Sequence, residues 1–295
     1  MNDFFSALTS SDVPFIRFAL LAGLLSSPAF GIIGTYVVVN RITSLAGAIS
    51  HAALAGIGAG LYFGFNPLLG AAAAAILSGI LVSFVYLRVN ERVDSIIGMI
   101  WAVGMSIGLL LIAKSPGYQD PMSYLFGNIL LIGKSDLYLL LVLDVFTSGA
   151  GIVMFRYFQA VSFDAEFAQA RGIKTDMFQV MMIILVSCTV ILMVTVVGIV
   201  MVIALLTIPA AIAGIFSNSL KPMMIWATGL VALFHIAGLA VSYTADLTTG
   251  ATTIIIAGSV YALSLSAAAV SRKLIRQKNR NLEISHSMES DSNSH

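Results

Sequence analysis

Charge is scarce in this chain: Asp, Glu, Lys and Arg together make up 10% of its 295 residues, where soluble globular domains carry about 25%. That shortage excludes an ordinary water-soluble fold. The single cysteine, Cys188, lies in an apolar run and has no intrachain partner, so disulfides contribute nothing. A formal net charge of +1 supplies no basic field for nucleic acid. A nucleotide-binding loop is also missing. The segment GNILLIGKS at 127–135 places five residues between Gly127 and Gly133 where a phosphate loop needs four, and no strand precedes it. Any ATP used here must be hydrolysed by another polypeptide, and the chain is not expected to be an enzyme. Residues 1–14 contain Asp3 and Asp12 but no cation, so they lack the basic start of a cleavable signal.

What is abundant is apolar surface, at 59% of residues. At about 20 residues per span, such a chain has room for roughly eight to ten membrane helices and for no sizeable catalytic domain. The runs are continuous rather than short and alternating, which favours helices over a β-barrel. The sequence predicts an all-α polytopic bundle with nine spans, at 15–39, 45–63, 67–87, 95–113, 137–155, 177–197, 198–215, 222–243 and 251–271. With the amino terminus outside, 12 of the 15 Lys and Arg fall in cytoplasmic connections, including Arg41, Arg88, Arg92, Arg156, Arg171, Lys174, Lys221 and the cluster at 272–280. The positive-inside rule therefore predicts an external amino terminus and a cytoplasmic carboxyl terminus. The expected organisation is an external segment 1–14, a membrane domain 15–271 and a basic tail 272–295. The cations of that tail suit anionic headgroups, and its last ten residues read as disordered. Two connections are longer than turns. Residues 114–136 lie outside and hold an apolar stretch, Tyr124 to Ile132, too short to span and so expected to be re-entrant or interfacial. Residues 156–176 lie inside, amphipathic and charged, and offer a place for a cytoplasmic partner to dock.

Within the spans, a few residues stand apart. Ala48, Ala52, Gly56, Gly60 and Gly64 recur every four residues in the second span, a smooth stripe for close helix packing. His51 is offset from that stripe. An ionisable group at that depth is either bonded to a neighbouring carbonyl or faces an ion path, and Ser50 beside it either assists or caps its own backbone. Asp144, mid-span, either lines the pathway or pairs with a neighbouring helix. His235 is open to the same two readings. Pro209 sits at the cytoplasmic end of the seventh span, followed by small residues, and predicts a kink or stop with a short helix to about Ser219 lying across the membrane surface.

These segments resemble a known family, the membrane permeases of ABC importers for manganese, zinc and iron. The resemblance is carried by SLAGAISHAALAGIG at 44–58, SYLFGNIL at 123–130, VSFDAEFAQARGI at 161–173, VVGIVMVIALLTIPAAIAG at 196–214 and SYTADLTTGATTII at 242–255. It implies a type II ABC importer fold, a homodimer in the inner (plasma) membrane, two cytoplasmic ATPase subunits and an extracytoplasmic metal-binding protein. It implies no permanently bound cofactor, with the metal ion as cargo. It also implies that Pro209, Ala210, Ala211, Ile212, Ala213 and Gly214 belong to an ATPase-docking segment. In the family, an aspartate and a histidine one helical turn apart in the second span present O and N ligands on one face. His51 matches the histidine, but Gly47 stands where many members have aspartate, and Ala55 replaces a common proline. Asp144 is the nearest substitute carboxylate the sequence offers, which makes His51, Asp144 and His235 the candidate metal-contacting set. The competing expectation is a secondary transporter coupled to protons or sodium through the same three residues.

Overall fold

The computed structural model describes residues 14–88, 93–117, 120–127 and 133–292. Those residues form twelve helices and no strand: α1 Pro14–Val39, α2 Thr43–Phe63, α3 Pro67–Arg88, α4 Val93–Lys114, α5 Pro121–Phe126, α6 Lys134–Val153, α7 Phe155–Phe163, α8 Ala165–Ala170, α9 Thr175–Val197, α10 Ile199–Phe216, α11 Leu220–Ala245 and α12 Thr249–Ser292. Nine of them, α1 to α4, α6 and α9 to α12, are long and apolar enough to cross a membrane. Their boundaries follow sequence punctuation. Proline opens α1, α3 and α5, where its missing N–H would find no intrahelical partner anyway. Gly198, at a φ of +84°, separates α9 from α10.

Side-chain contacts fix how the spans run. The α1–α6 seam advances in step: the Ala29 amide donates to Asp144 Oδ1 at 3.0 Å, and the Tyr36 hydroxyl donates to Gly151 O at 3.0 Å. Both partners move toward their carboxyl ends together, so these helices are parallel, as a first and a fifth span must be. Along α1–α11 the order reverses, with Gly23 against His235 and Gly31 against Thr228, as a first and an eighth span require.

The stripe on α2 serves two neighbours. Ala52 packs on Gly104 of α4, while Gly56 meets the Gly70 carbonyl and Gly60 meets Pro67, both on α3. A side chain at Gly56 would collide with backbone. Gly64 does not extend the stripe. It lies beyond the end of α2 as a left-handed cap, φ +75°, with its amide bonded to Gly60 O and nothing packed on its α-carbon. Glycine is used there for its backbone freedom, which ends the helix.

Two other expectations change. α10 does not stop at Pro209; it runs through the proline to Phe216 and is followed by a short link to α11, so no separate helix spans 209–219. Pro209, Ala210, Ile212 and Ala213 are buried within the chain, and tertiary packing on both sides holds the helix across the proline. The final helix runs on to Ser292 where the last ten residues read as disordered. Its basic part, 272–283, is rich in Lys, Arg, Gln, Leu and Glu, which carry little helix penalty and lead the helix into the Ser-rich end. In the connection between α4 and α6, α5 packs beneath the α9–α10 junction, with Gly198 close to Leu125 and Gly127, and Gly250 close to Phe126. The stretch Tyr124–Ile132, expected to be re-entrant or interfacial, falls only partly within the described residues: 124–126 end α5, while 128–132 lie outside them, as does the 1–13 segment.

Candidate functional site

α2 is the most enclosed of the spanning helices, and His51 sits at its heart, 5% exposed. Its imidazole stacks on the indole of Trp101 from α4, with ring centroids 4.5 Å apart and an interplanar angle of 21°. Nδ1 of His51 has no hydrogen-bond partner among the described residues. A buried polar atom left open is costly and calls for a ligand or a role. Ser50 does not supply the partner, because its hydroxyl donates back to Ala46 O at 2.8 Å.

Trp101 also explains the residue one turn before the histidine. A β-carbon placed on Gly47 would lie 2.5 Å from Cζ3 of Trp101. The indole takes the room that an acidic side chain at 47 would need, so glycine at 47 and tryptophan at 101 form one packing unit. The histidine therefore faces an aromatic ring in place of a carboxylate. Trp101 was not singled out by the sequence; a tryptophan in an apolar run looks like any packing residue until its partner helix is known.

On the side of the basic connections, Trp101 borders a cavity of about 460 Å³, also lined by Thr43, Ser44, Thr207, Ala211 and Tyr261. Its lining is mainly apolar, with Thr43, Ser44, Thr207 and Tyr261 as its hydroxyl-bearing residues, and Ala211 places one wall in the α10 segment after Pro209.

The other two candidates each bond to the backbone of α1. Asp144, buried on α6, accepts the amide of Ala29, the residue after Pro28 within α1. Proline removes one helical N–H and displaces the carbonyl four residues back. That carbonyl, Leu24 O, receives the Ser27 hydroxyl at 2.9 Å. Asp144 and Ser27 thus satisfy backbone groups around a proline kink. His235, 2% exposed, donates from Nε2 to Ala19 O at 3.0 Å, and its ring fills the space above Gly23; its Nδ1 is without a partner among the described residues. Among those residues no three His, Cys, Asp or Glu side chains gather as a metal-binding group. Asp144 and His235 both bond to α1 backbone, while His51 packs on Trp101 of α4.

The docking segment divides as well. Pro209, Ala210, Ile212 and Ala213 face the chain's own interior, with Ala210 and Ala213 clustered on Met223 and Ala227 of α11. Gly214 and Phe216 are exposed.

The family model described as ABC 3 transport family matches residues 12–268. A Synechocystis membrane protein, slr2045, is 40% identical over 253 residues, covering 85% of this chain and 90% of that one. A Chlamydia trachomatis protein named "Probable metal transport system membrane protein" is 36% identical over 267 residues, covering 88% and 91%. The manganese transport system membrane protein MntC of Listeria monocytogenes is 27% identical over 247 residues, covering 84% and 88%. In fold, the chain resembles PsaBC from Streptococcus pneumoniae solved in complex with Fab, with a TM-score of 0.77 at 24% identity, over 89% of this chain and 94% of that one.

Proposed function

The chain belongs to the ABC 3 transport family, and from that premise we propose that it is the membrane permease of an importer for a divalent metal ion, manganese, zinc or iron. It works as a homodimer, takes the ion from an extracytoplasmic binding protein, and is driven by ATP hydrolysed in cytoplasmic partner subunits. The amino terminus is outside and the carboxyl terminus in the cytoplasm, an orientation supported by the Lys and Arg bias of the connections.

The observation that carries this reading is His51, an ionisable ring at the centre of the most enclosed span with a ring nitrogen left open. A neutral imidazole can bind a borderline divalent ion, and one nitrogen ligand without a carboxylate binds it weakly. Weak, transient contact suits a pathway, since tight binding would trap the cargo. The ion passes His51 and leaves through the cavity bordered by Trp101, Thr207 and Tyr261 as the protomers rock. Gly214 and Phe216 form the surface that meets the ATPase, and Pro209, Ala210, Ile212 and Ala213 brace it from within. A proton- or sodium-coupled carrier gains no support from the geometry, because Asp144 and His235 are each engaged with α1 backbone.

The test is uptake of single metal ions into liposomes carrying the chain with and without its co-purified ATPase. ATP-dependent accumulation by the assembly and none by the chain alone is expected. Uphill uptake by the chain alone on a pH or sodium gradient would overturn the proposal.

A further inference from the structure

On the face formed by α1, α6, α7 and α11, a groove of about 650 Å³ opens between helices. Its body is apolar, lined by Ile32, Ile152, Val153, Ile225 and Thr228; Ile152, Val153 and Ile225 are largely exposed, so this wall faces hydrocarbon. Its mouth is cationic. Arg156 and Lys221 both line it, and both belong to the basic connections at one end of the bundle. The Lys221 ammonium stands 5.4 Å from the centre of the Phe155 ring. Among the described residues neither cation is ion-paired with a carboxylate.

Lys221 is the second residue of α11, a helix of 26 residues whose first position has no side-chain cap. The start of a helix disfavours a cation and offers unpaired amides to an anion. Two cations thus line one end of the groove beside the start of α11, where Leu220 and Lys221 carry the leading amides and Pro222 carries none. At about 1.5 Å per residue, the groove wall from Lys221 to Thr228 reaches about 10 Å into the bilayer, enough for part of an acyl chain.

We propose that this groove is a binding site for an anionic phospholipid of the inner leaflet, its phosphate held by Arg156 and Lys221 and one acyl chain lying along Ile32, Ile152, Val153 and Ile225. A free anion would satisfy the mouth but leave the apolar wall unused, and a neutral lipid would use the wall but leave the cations unpaired. The leaflet assignment rests on the orientation proposed above; the site itself depends on neither orientation nor transport.

The full chain in detergent is mixed with equal amounts of dioleoyl phosphatidylglycerol and dioleoyl phosphatidylcholine, and bound lipid is counted by native mass spectrometry. At about fivefold per cation near a headgroup, phosphatidylglycerol should be enriched roughly tenfold or more. The K221Q variant should lose about fivefold of that preference, and R156Q/K221Q should bring the ratio near one while phosphatidylcholine binding persists. Equal binding of the two lipids by the unaltered chain would overturn the site, as would an intact preference in R156Q/K221Q. Inorganic phosphate displacing the lipid at the same concentration would reassign the mouth to a free anion. Disulfide-linked I225C dimers in native membranes that retain no lipid would reassign the groove to a second copy of the chain. Loss of the co-purified ATPase in R156Q/K221Q with lipid preference unchanged would assign the cations to that partner. Uptake activity enters none of these readouts, so failure of the transport proposal leaves them interpretable.

Discussion

Buried polar side chains in this protein are treated in two ways. Asp144 accepts the Ala29 amide beside a proline kink, and loss of a buried hydrogen bond to a charged group costs roughly 1.5–3 kcal/mol. Asp144→Ala should lower the melting temperature in detergent and reduce the folded yield, whereas Asp144→Asn keeps an acceptor and should retain most of the stability. A well-folded Asp144→Asn protein that has lost metal uptake would instead return Asp144 to the pathway. His51 keeps Nδ1 open, so His51→Ala should abolish uptake while the protein still elutes as folded and melts cooperatively, at a somewhat lower temperature for the lost stacking; unchanged uptake would remove it from the ion's route. Gly47 and Trp101 form a third residue-scale unit. Gly47→Ala forces the indole aside, at about 1–3 kcal/mol for overpacking. Adding Trp101→Leu should recover much of that loss, and unfolding the single and double variants gives the coupling directly. Sequence exposed Gly47 as a departure from the family pattern. Its cause lay on another helix, 54 positions along the chain.

At the scale of elements, small residues do two jobs that spacing alone cannot separate. Gly56 and Gly60 allow α2 to touch α3, while Gly64, on the same four-residue repeat, ends the helix in a left-handed conformation. Gly64→Ala should cost about 1 kcal/mol from backbone strain, with no change in how α2 packs; a larger loss would mean a hidden contact. The α10 segment shows a similar division. Ala210 and Ala213 after Pro209 are buried against α11, Gly214 is exposed, and the exposed apolar tip is Phe216. Phe216→Asp should therefore reduce ATPase recovery in pull-down at least tenfold without loss of folding, an interface contribution of about 1.4 kcal/mol or more. Intact recovery would move the docking surface elsewhere, with the short helices α7 and α8 next in line.

For the whole molecule, the nine-span count and the alternation of direction are mutually consistent. Ala29–Asp144 and Tyr36–Gly151 require α1 and α6 to be parallel, and Gly23–His235 with Gly31–Thr228 requires α1 and α11 to be antiparallel. α1 is thus held by Asp144 from α6 and by His235 from α11. α12 is the least enclosed of the spans, as expected of a helix whose outer surface meets lipid or a partner.

The sequence by itself determined the bilayer as solvent, the nine spans to within a few residues, and the family. Each follows from length, apolar runs, charge placement and local motifs, all of which act along the chain. Only tertiary structure decided what the ionisable residues do. His51, Asp144 and His235 look alike in sequence, each a lone polar group in an apolar helix. Which of them is satisfied depends on carbonyls and amides contributed by distant helices, and on whether a ring such as Trp101 has taken the neighbouring space. Helix packing fixes those distances, and no local pattern encodes them.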